Sequence, residues 1–340
     1  GIADTEKCIE KLLYQSYPNL KIYLVDNGSN QDDVSRLNKL NAEYSEIQLI
    51  LFDQNLGFTE AHNIVLKQII ANDNPPEFVL LLNNDAFPDK DWAQNLIESA
   101  RQHSADMVSS KMINFFKPDK IDNVGHRLLN TGEIIPEGSG APVNDFDKQS
   151  KNVGACAGAA LYRTSMLSNV GVFDPYFKTG YEDAELGVRA TVLGYKCMYE
   201  PTAIVHHKIS QSVAKIRDFE YVLKTQLNIF YSYYKLMPTG VILINLPFII
   251  FKYGVVLFLN LIFGKWFFFR VMRTAIARSF GRERLTFIRA RRNFQSSFDT
   301  VSTWNILRKM EFFIFFDAKR FYKHMIRGEK TEFEKEQTDI

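Results

Sequence analysis

Residues Phe78–Phe87, FVLLLNNDAF, constrain the fold more than any other stretch of this chain. The apolar run Phe78 to Leu82 is bounded by Pro75-Pro76 before it and Pro88 after it. So short and continuous a run between prolines reads as a strand buried on both faces, as in a parallel α/β sheet. It ends in Asn83, Asn84 and Asp85, and open α/β sheets bind ligands beyond the carboxyl ends of their strands. The plainer alternative is a strand entering a turn, with Asp85 or Asp89 capping the helix suggested by Asp91–Ala100.

The preceding residues repeat the alternation. Amphipathic Asp4–Gln15 reads as a helix, Lys21–Val25 as a strand, Asp32–Tyr44 as a helix, Ile47–Phe52 as a strand and Thr59–Ala71 as a helix. Strands alternating with helices give a largely parallel sheet with both faces covered. Polar turns such as Asp26-Asn27-Gly28-Ser29 and Asn55-Leu56-Gly57 then gather along one rim. Residues 114–150, rich in glycine and proline, suggest a hairpin-bearing excursion. Small residues in Val153–Leu161 permit close backbone approach. Glu182-Asp183-Ala184-Glu185 opens a helix through Leu193, and Tyr195–Tyr199 and Thr202–Val205 read as two strands ending at His206-His207.

Charge is divided along the chain. Residues 1–239 carry 23 Lys+Arg against 30 Asp+Glu, whereas residues 240–298 carry ten basic residues against Glu283 alone. An acidic soluble domain followed by a segment that seeks an anionic surface is the implied arrangement. Val241–Phe263 is almost wholly apolar over 23 residues, long enough to cross a bilayer at about 1.5 Å per residue. Its exceptions, Asn245, Lys252 and Asn260, share one helical face. That stripe, followed by Trp266–Phe269 among arginines, suits a helix in the membrane interface or a kinked hairpin as much as a span. A soluble helical subdomain packed on the preceding domain is the alternative. No recognition motif for nucleic acid accompanies the basic stretch, so none is expected as a partner. Three scattered cysteines, Cys8, Cys156 and Cys197, with no CxxC, point to a reducing compartment. The expected location is cytoplasmic, peripheral or monotopic at the inner face of the cell membrane. The expected domains are 1–235 and 236–340.

Taken in order, Val25-Asp26-Asn27-Gly28-Ser29, Asn55-Leu56-Gly57-Phe58, Leu82-Asn83-Asn84-Asp85, Gly154–Leu161, Gly171-Val172-Phe173-Asp174, Glu182–Leu186 with Arg189-Ala190, and His207 with Ser212 form a recognisable series. Through them the chain resembles the family-2 inverting glycosyltransferases of the GT-A fold, especially their rhamnosyltransferase-like branch. Each motif alone is weak; the ordered set is specific and covers residues 1 to about 235. Two departures stand out. Family members open with a strand ending in a Thr-Tyr-Asn-like turn, and this sequence begins just after that point, at Gly1-Ile2-Ala3-Asp4. The metal motif is Asn83-Asn84-Asp85 rather than Asp-x-Asp.

The resemblance implies a GT-A domain, a Rossmann-like mixed and mostly parallel sheet flanked by helices, followed by a helical membrane-associating tail. It implies sugar transfer from a nucleotide-diphosphate donor, with inversion, to a growing cell-surface glycan or lipid-linked acceptor. Rhamnose is the first choice of sugar, with a UDP-hexose or galactofuranose donor as the alternative. A catalytically silent, membrane-tethered sugar- or nucleotide-binding protein is the rival from another class. Asp183 takes the role of general base, with Glu182 beside it. Asp26, Asn55, Gly57, Asn84 and Asp85 contact the donor, and Glu185, Gly158 and Arg189 the acceptor. Asp85 and His207 hold Mg²⁺ or Mn²⁺. The bland readings are an Asx turn for Asp26, helix capping for Glu182, Asp183 and Glu185, and packing for the histidine pair.

Overall fold

A computed structural model describes residues 1–177, 180–208 and 218–314. Ser212 lies outside the described residues. The chain divides into two compact units, one formed by residues 1–126 and 136–209, the other by 127–135 and 210–340. This differs from the expected division at residue 235. The helix Phe219–Leu236 buries Leu223, Leu227, Tyr231 and Leu236 and packs with the helices Trp266–Phe280 and Arg284–Ser297 of the second unit. The hairpin turn 127–135 also belongs to that unit, a long-range association that local sequence does not carry.

In the first unit α1 (Ile2–Leu13) leads to β1 (Ile22–Asn27), α2 (Gln31–Glu43), β2 (Ile47–Phe52), α3 (Phe58–Ile70) and β3 (Phe78–Leu82). There follow β4 (Ala86–Pro88), α4 (Trp92–Gln102), β5 (Met107–Asn114) and β6 (Ile121–Asn123), then β7 (His126–Leu129) and β8 (Ile134–Pro136), whose residues 127–135 belong to the second unit. The unit ends with β9 (Ser150–Asn152), β10 (Ala159–Arg163), α5 (Thr164–Val170), α6 (Glu182–Val192) and β11 (Cys197–His207). Local chemistry sets the boundaries. Asn30 caps α2 by accepting from the Asp33 N–H at 3.0 Å, and Gly57, at φ 80°, turns the chain into α3.

β1 and β2 pair in parallel, Ile22 opposite Ile47. The larger sheet has the order β3-β10-β5-β11-β4. It is mixed rather than mostly parallel: β10 runs antiparallel to both neighbours, whereas β5 and β11 are parallel. Among the described residues β1 and β3 do not pair, so the sheet is interrupted between them. The two expected strands near residue 200 are one strand, β11, with a register shift between Glu200 and Ile204. Pro201 in that gap has no N–H for a ladder bond, and a bulge accommodates it.

Both faces of β3 are covered, as the apolar run requires. Val79 and Leu81 join Tyr162, Met166, Leu186 and helix α3 in one core. Leu80 and Leu82 pack beside Trp92, Leu96 and Val108 in the other. The indole of Trp92 donates to Ser110 Oγ at 2.8 Å, so the largest buried side chain leaves no unpaired donor. Helix α6 is buried along nearly its whole length and meets the 153–157 loop where two glycines face each other. A Cβ on Gly187 would lie 2.4 Å from the Gly154 Cα. Ala normally stabilises a helix interior relative to Gly. Here Gly187→Ala is expected to reverse that sign and cost about 1–3 kcal/mol, read as a lower denaturation midpoint. An unchanged midpoint would mean the two backbones part without strain.

Candidate active site

All the residues that follow lie in the first unit. Strand pairing builds the first half of the site. β4 and β11 run antiparallel with His207 opposite Ala86, which carries His207 to the neighbour of Ala86, Asp85. The Lys208 N–H donates to the Asp85 carbonyl at 3.0 Å and holds the two ends together. Side chains alternate along a strand, so His206 points elsewhere, its Nε2 3.5 Å from Asp89 Oδ1. His207 Nδ1 lies 2.7 Å from Asp122 Oδ2. Its Nε2 sits 3.3 Å from Asp85 Oδ1 without hydrogen-bond alignment, and is buried with no partner. Burial opposes the charged imidazole, but Asp122 and Asp85 outweigh it and lift the His207 pKa to about 9. Burial pushes the Asp85 carboxyl upward, and His207 overcomes this to leave it below its ordinary value.

An orphaned imidazole nitrogen beside a carboxylate, oriented from behind by a second carboxylate, is the donor arrangement of a His ligand to a cation. Among the described residues no group of three or more His, Cys, Asp or Glu converges on one point. Two protein donors fit Mg²⁺ or Mn²⁺, which commonly keep part of their shell for substrate and water.

The second half is built on the N-terminus of α6. Gly180 and Tyr181 are both left-handed (φ 83° and 81°), and for Tyr181 that is a strained conformation. The turn presents Glu182 and Asp183 at the positive end of the helix. Asp183 Oδ2 accepts from the Ala157 N–H at 3.0 Å and Oδ1 from the Ala184 N–H at 2.7 Å, with the side chain 17% exposed. His126 Nε2 is 4.0 Å from Asp183 Oδ2; burial keeps His126 neutral by lowering its pKa. Burial raises the Cys156 thiol pKa, and the charges of both Asp183 and Asp122 add to the rise.

Glu182 differs from its neighbour. It is 6% exposed with Oε2 unpartnered, and burial followed by the Asp183 charge raises its pKa to about 8. The unfolded carboxyl ionises near its ordinary 4.5 while the folded one holds its proton to about 8. Stability contributed by this group is therefore complete below pH 4.5 and is lost as pH rises toward 8. Glu182→Gln should remove that loss, on the order of 3 kcal/mol. Thermal unfolding at pH 5 and pH 8 checks it: parallel profiles for the two proteins would mean that Glu182 is ionised when folded.

Three expected acceptor residues are placed otherwise. Glu185 is 0% exposed and paired with Arg189 at 2.9 Å. The Arg189 guanidinium also donates to the carbonyls of Val170 and Val172, each at 2.7 Å. The pair locks α6 to the end of α5 on a buried side of the helix. Gly158 is buried as well. A Cβ there would lie 3.0 Å from Met112 Cε and 3.3 Å from Asn83 Nδ2, so its smallness serves packing.

Of the residues expected at the donor, Asn55 and Gly57 lie beside the β1 turn that holds Asp26. Asp26 Oδ2 accepts from the Ser29 N–H at 3.1 Å, closing an Asx turn. Asn27 links the two loops, donating to Asn55 Oδ1 at 3.2 Å and accepting from the Leu56 N–H at 2.8 Å. Gly57 donates its N–H to Asn55 Oδ1 at 2.8 Å. Asn84 is exposed and donates to Thr5 Oγ1 at 2.9 Å. Asp122 and His126 were not singled out from sequence; both lie in the irregular excursion, where no periodicity marks them.

The profile described as glycosyl transferase family 2 matches residues 3–171. Among curated proteins none matches the chain. The fold is similar to that of GalNAc-T7 solved with UDP, GalNAc and Mn²⁺, with TM-score 0.51, 12% identity, and 66% of this chain and 48% of that chain covered. This chain therefore spans about half the length of that relative. It is similar also to the mannosyltransferase PcManGT from Pyrobaculum calidifontis in complex with GDP-Man and Mn²⁺, with TM-score 0.50, 14% identity, and 82% and 72% covered. The chain is thus similar to glycosyl transferase family 2 over residues 3–171 and shares the GT-A fold of these structures.

Proposed function

We propose that this chain is an inverting glycosyltransferase that moves a sugar from a nucleotide-diphosphate donor to a growing cell-surface glycan or lipid-linked acceptor. The observation that carries the reading is the pairing of an anchored carboxylate, Asp183, with a second donor set, Asp85 and His207, in one unit. Asp183 is fixed by two backbone N–H groups and takes the proton from the acceptor hydroxyl as it attacks the anomeric carbon. Protonated Glu182 keeps the charge beside it low, and neutral His126 limits competing ion pairing.

A divalent cation, when bound, neutralises charge developing on the departing diphosphate. Asp85 and His207 would hold it, with Asp122 orienting the His207 ring. Asp26, Asn55, Gly57 and Asn84 line the nucleotide side. The UDP, GDP-Man and Mn²⁺ of the similar structures support a nucleotide-sugar and cation site of this class. Rhamnose remains the preferred sugar on resemblance, with UDP-hexose and galactofuranose donors next. The apolar helix Thr239–Ile262 supports association with the inner face of the cell membrane.

Calorimetric titration with dTDP-, UDP- and GDP-sugars, with and without Mn²⁺, tests the reading. Metal-dependent binding of one nucleotide series is expected. Metal-independent binding without any transfer would favour a silent binding protein, and no binding by a folded protein would reject the donor site.

A further inference from the structure

An ordinary surface helix turns its apolar side to the protein and its polar side to water. Thr239–Ile262 does the reverse. Asn245 and Lys252 are 3% and 5% exposed, on one face seven residues apart. Leu243, Leu246, Ile250, Phe251, Phe258 and Ile262 are each between 42 and 64% exposed. Polar partners explain the buried stripe. Lys252 Nζ pairs with Glu133 Oε1 at 2.5 Å and reaches Thr131 Oγ1 at 3.3 Å. Asn245 Nδ2 donates to the Tyr233 hydroxyl at 3.3 Å. Glu133 and Thr131 sit in the turn between β7 and β8, and β7 pairs with the short strand Met310–Glu311. The middle of the helix is thus covered on one side by a hairpin turn and a small open sheet.

Hydrocarbon is the medium in which an outward apolar face with an inward paired charge is the favourable arrangement. The neighbouring helix Trp266–Phe280 supplies the charge that an anionic surface would meet. Its Trp266 is 59% exposed. Arg273 and Arg282, which make no ion pair among the described residues, border a recess of about 510 Å³ with Arg278. Exposed tryptophan with arginine is the composition that settles at headgroup level.

From these features we infer that Thr239–Ile262 is a monotopic anchor lying in the plane of an anionic bilayer rather than crossing it. The inference rests on the membrane association proposed above and names its geometry and lipid class. At about 1.5 Å per residue the helix is long enough to span. Lys252, however, lies near its midpoint. A transverse helix would carry the Lys252–Glu133 pair, the hairpin turn and an open sheet edge to the bilayer centre. Irregular backbone and sheet edges do not survive against lipid at that depth. In-plane, the Asn245–Lys252 side stays with the protein, while the Leu246–Ile250 side enters the acyl chains.

Single cysteines at Leu243, Ile250, Phe258 and Ile262 of the full chain, spin-labelled, report depth through oxygen and nickel-chelate accessibility. Vesicles of phosphatidylglycerol with phosphatidylcholine are compared with phosphatidylcholine alone. The native Cys8 and Cys197 are buried and Cys156 is half-buried, so the spin-labelled chain without an added cysteine sets the background that is subtracted. The expected result is cosedimentation with the anionic vesicles, weakened severalfold without phosphatidylglycerol, and similar shallow depths at all four positions. Ile250→Asp with Phe258→Asp should abolish cosedimentation in a protein that still unfolds cooperatively. Binding with Ile250 at the midplane and Leu243 and Ile262 near opposite headgroups would overturn the in-plane inference but keep membrane association. No cosedimentation would overturn both. A dimer in solution that the double variant converts to monomer, without vesicle binding, would assign the face to a second copy of this chain.

Discussion

Asp183→Asn is expected to lower kcat for sugar transfer by about 10²–10⁴-fold, the usual contribution of a positioned general base. Donor affinity should stay within about twofold, because charge and shape change only where the acceptor proton is received. The amide retains an oxygen that can accept from Ala157 N–H, so the α6 turn should survive. Donor calorimetry and thermal unfolding on the same sample separate lost chemistry from lost structure. Undiminished transfer would remove Asp183 from the reaction. Burial still raises the Glu182 carboxyl in this variant, but the lost Asp183 charge brings it down from about 8. Activity that recovers in the variant as pH rises would show Glu182 taking over as a secondary base.

His207→Ala has the second-largest expected effect, and it is read first on metal rather than on turnover. Loss of a direct ligand should lower Mn²⁺ affinity by at least about a hundredfold, and Asp122→Ala, which removes only the orienting carboxylate, by about 10–100-fold. Asp122→Asn should fall between wild type and Asp122→Ala, since its amide oxygen can still accept from Nδ1. Electron paramagnetic resonance of free Mn²⁺ measures all of these without substrate. Because His207 holds its proton to about pH 9 in the metal-free protein, cation binding must displace it. Wild-type affinity should therefore rise with pH by up to about tenfold per unit below 9, and His207→Ala should flatten the dependence. Unchanged Mn²⁺ affinity in His207→Ala would place the cation elsewhere.

Local physics made much of this molecule legible before its structure. The strand Phe78–Leu82 is where its apolar run and prolines put it. Helix α6 starts at the acidic opening Glu182–Glu185, and the helix Thr239–Ile262 covers most of the apolar run Val241–Phe263. Asp85 and His207, which the family resemblance pairs at two strand ends, are brought together by the pairing of β4 with β11. The seven-residue spacing of Asn245 and Lys252 already defined one helical face.

Tertiary structure decided what local signals cannot encode. Residue type makes Glu185 and Arg189 look like surface ligands; enclosure of α6 turns them into an internal pair. Glu182 and Asp183 are adjacent acids in sequence, yet burial of one and backbone anchoring of the other part their chemistry. Asp122 reaches His207 across 85 residues of chain, from a loop without periodicity. Periodicity along the chain reports which side of an element is apolar, whereas packing decides what that side meets. For Thr239–Ile262 a hairpin more than a hundred residues earlier, through Glu133 and Thr131, claimed the polar side and left the apolar side outward.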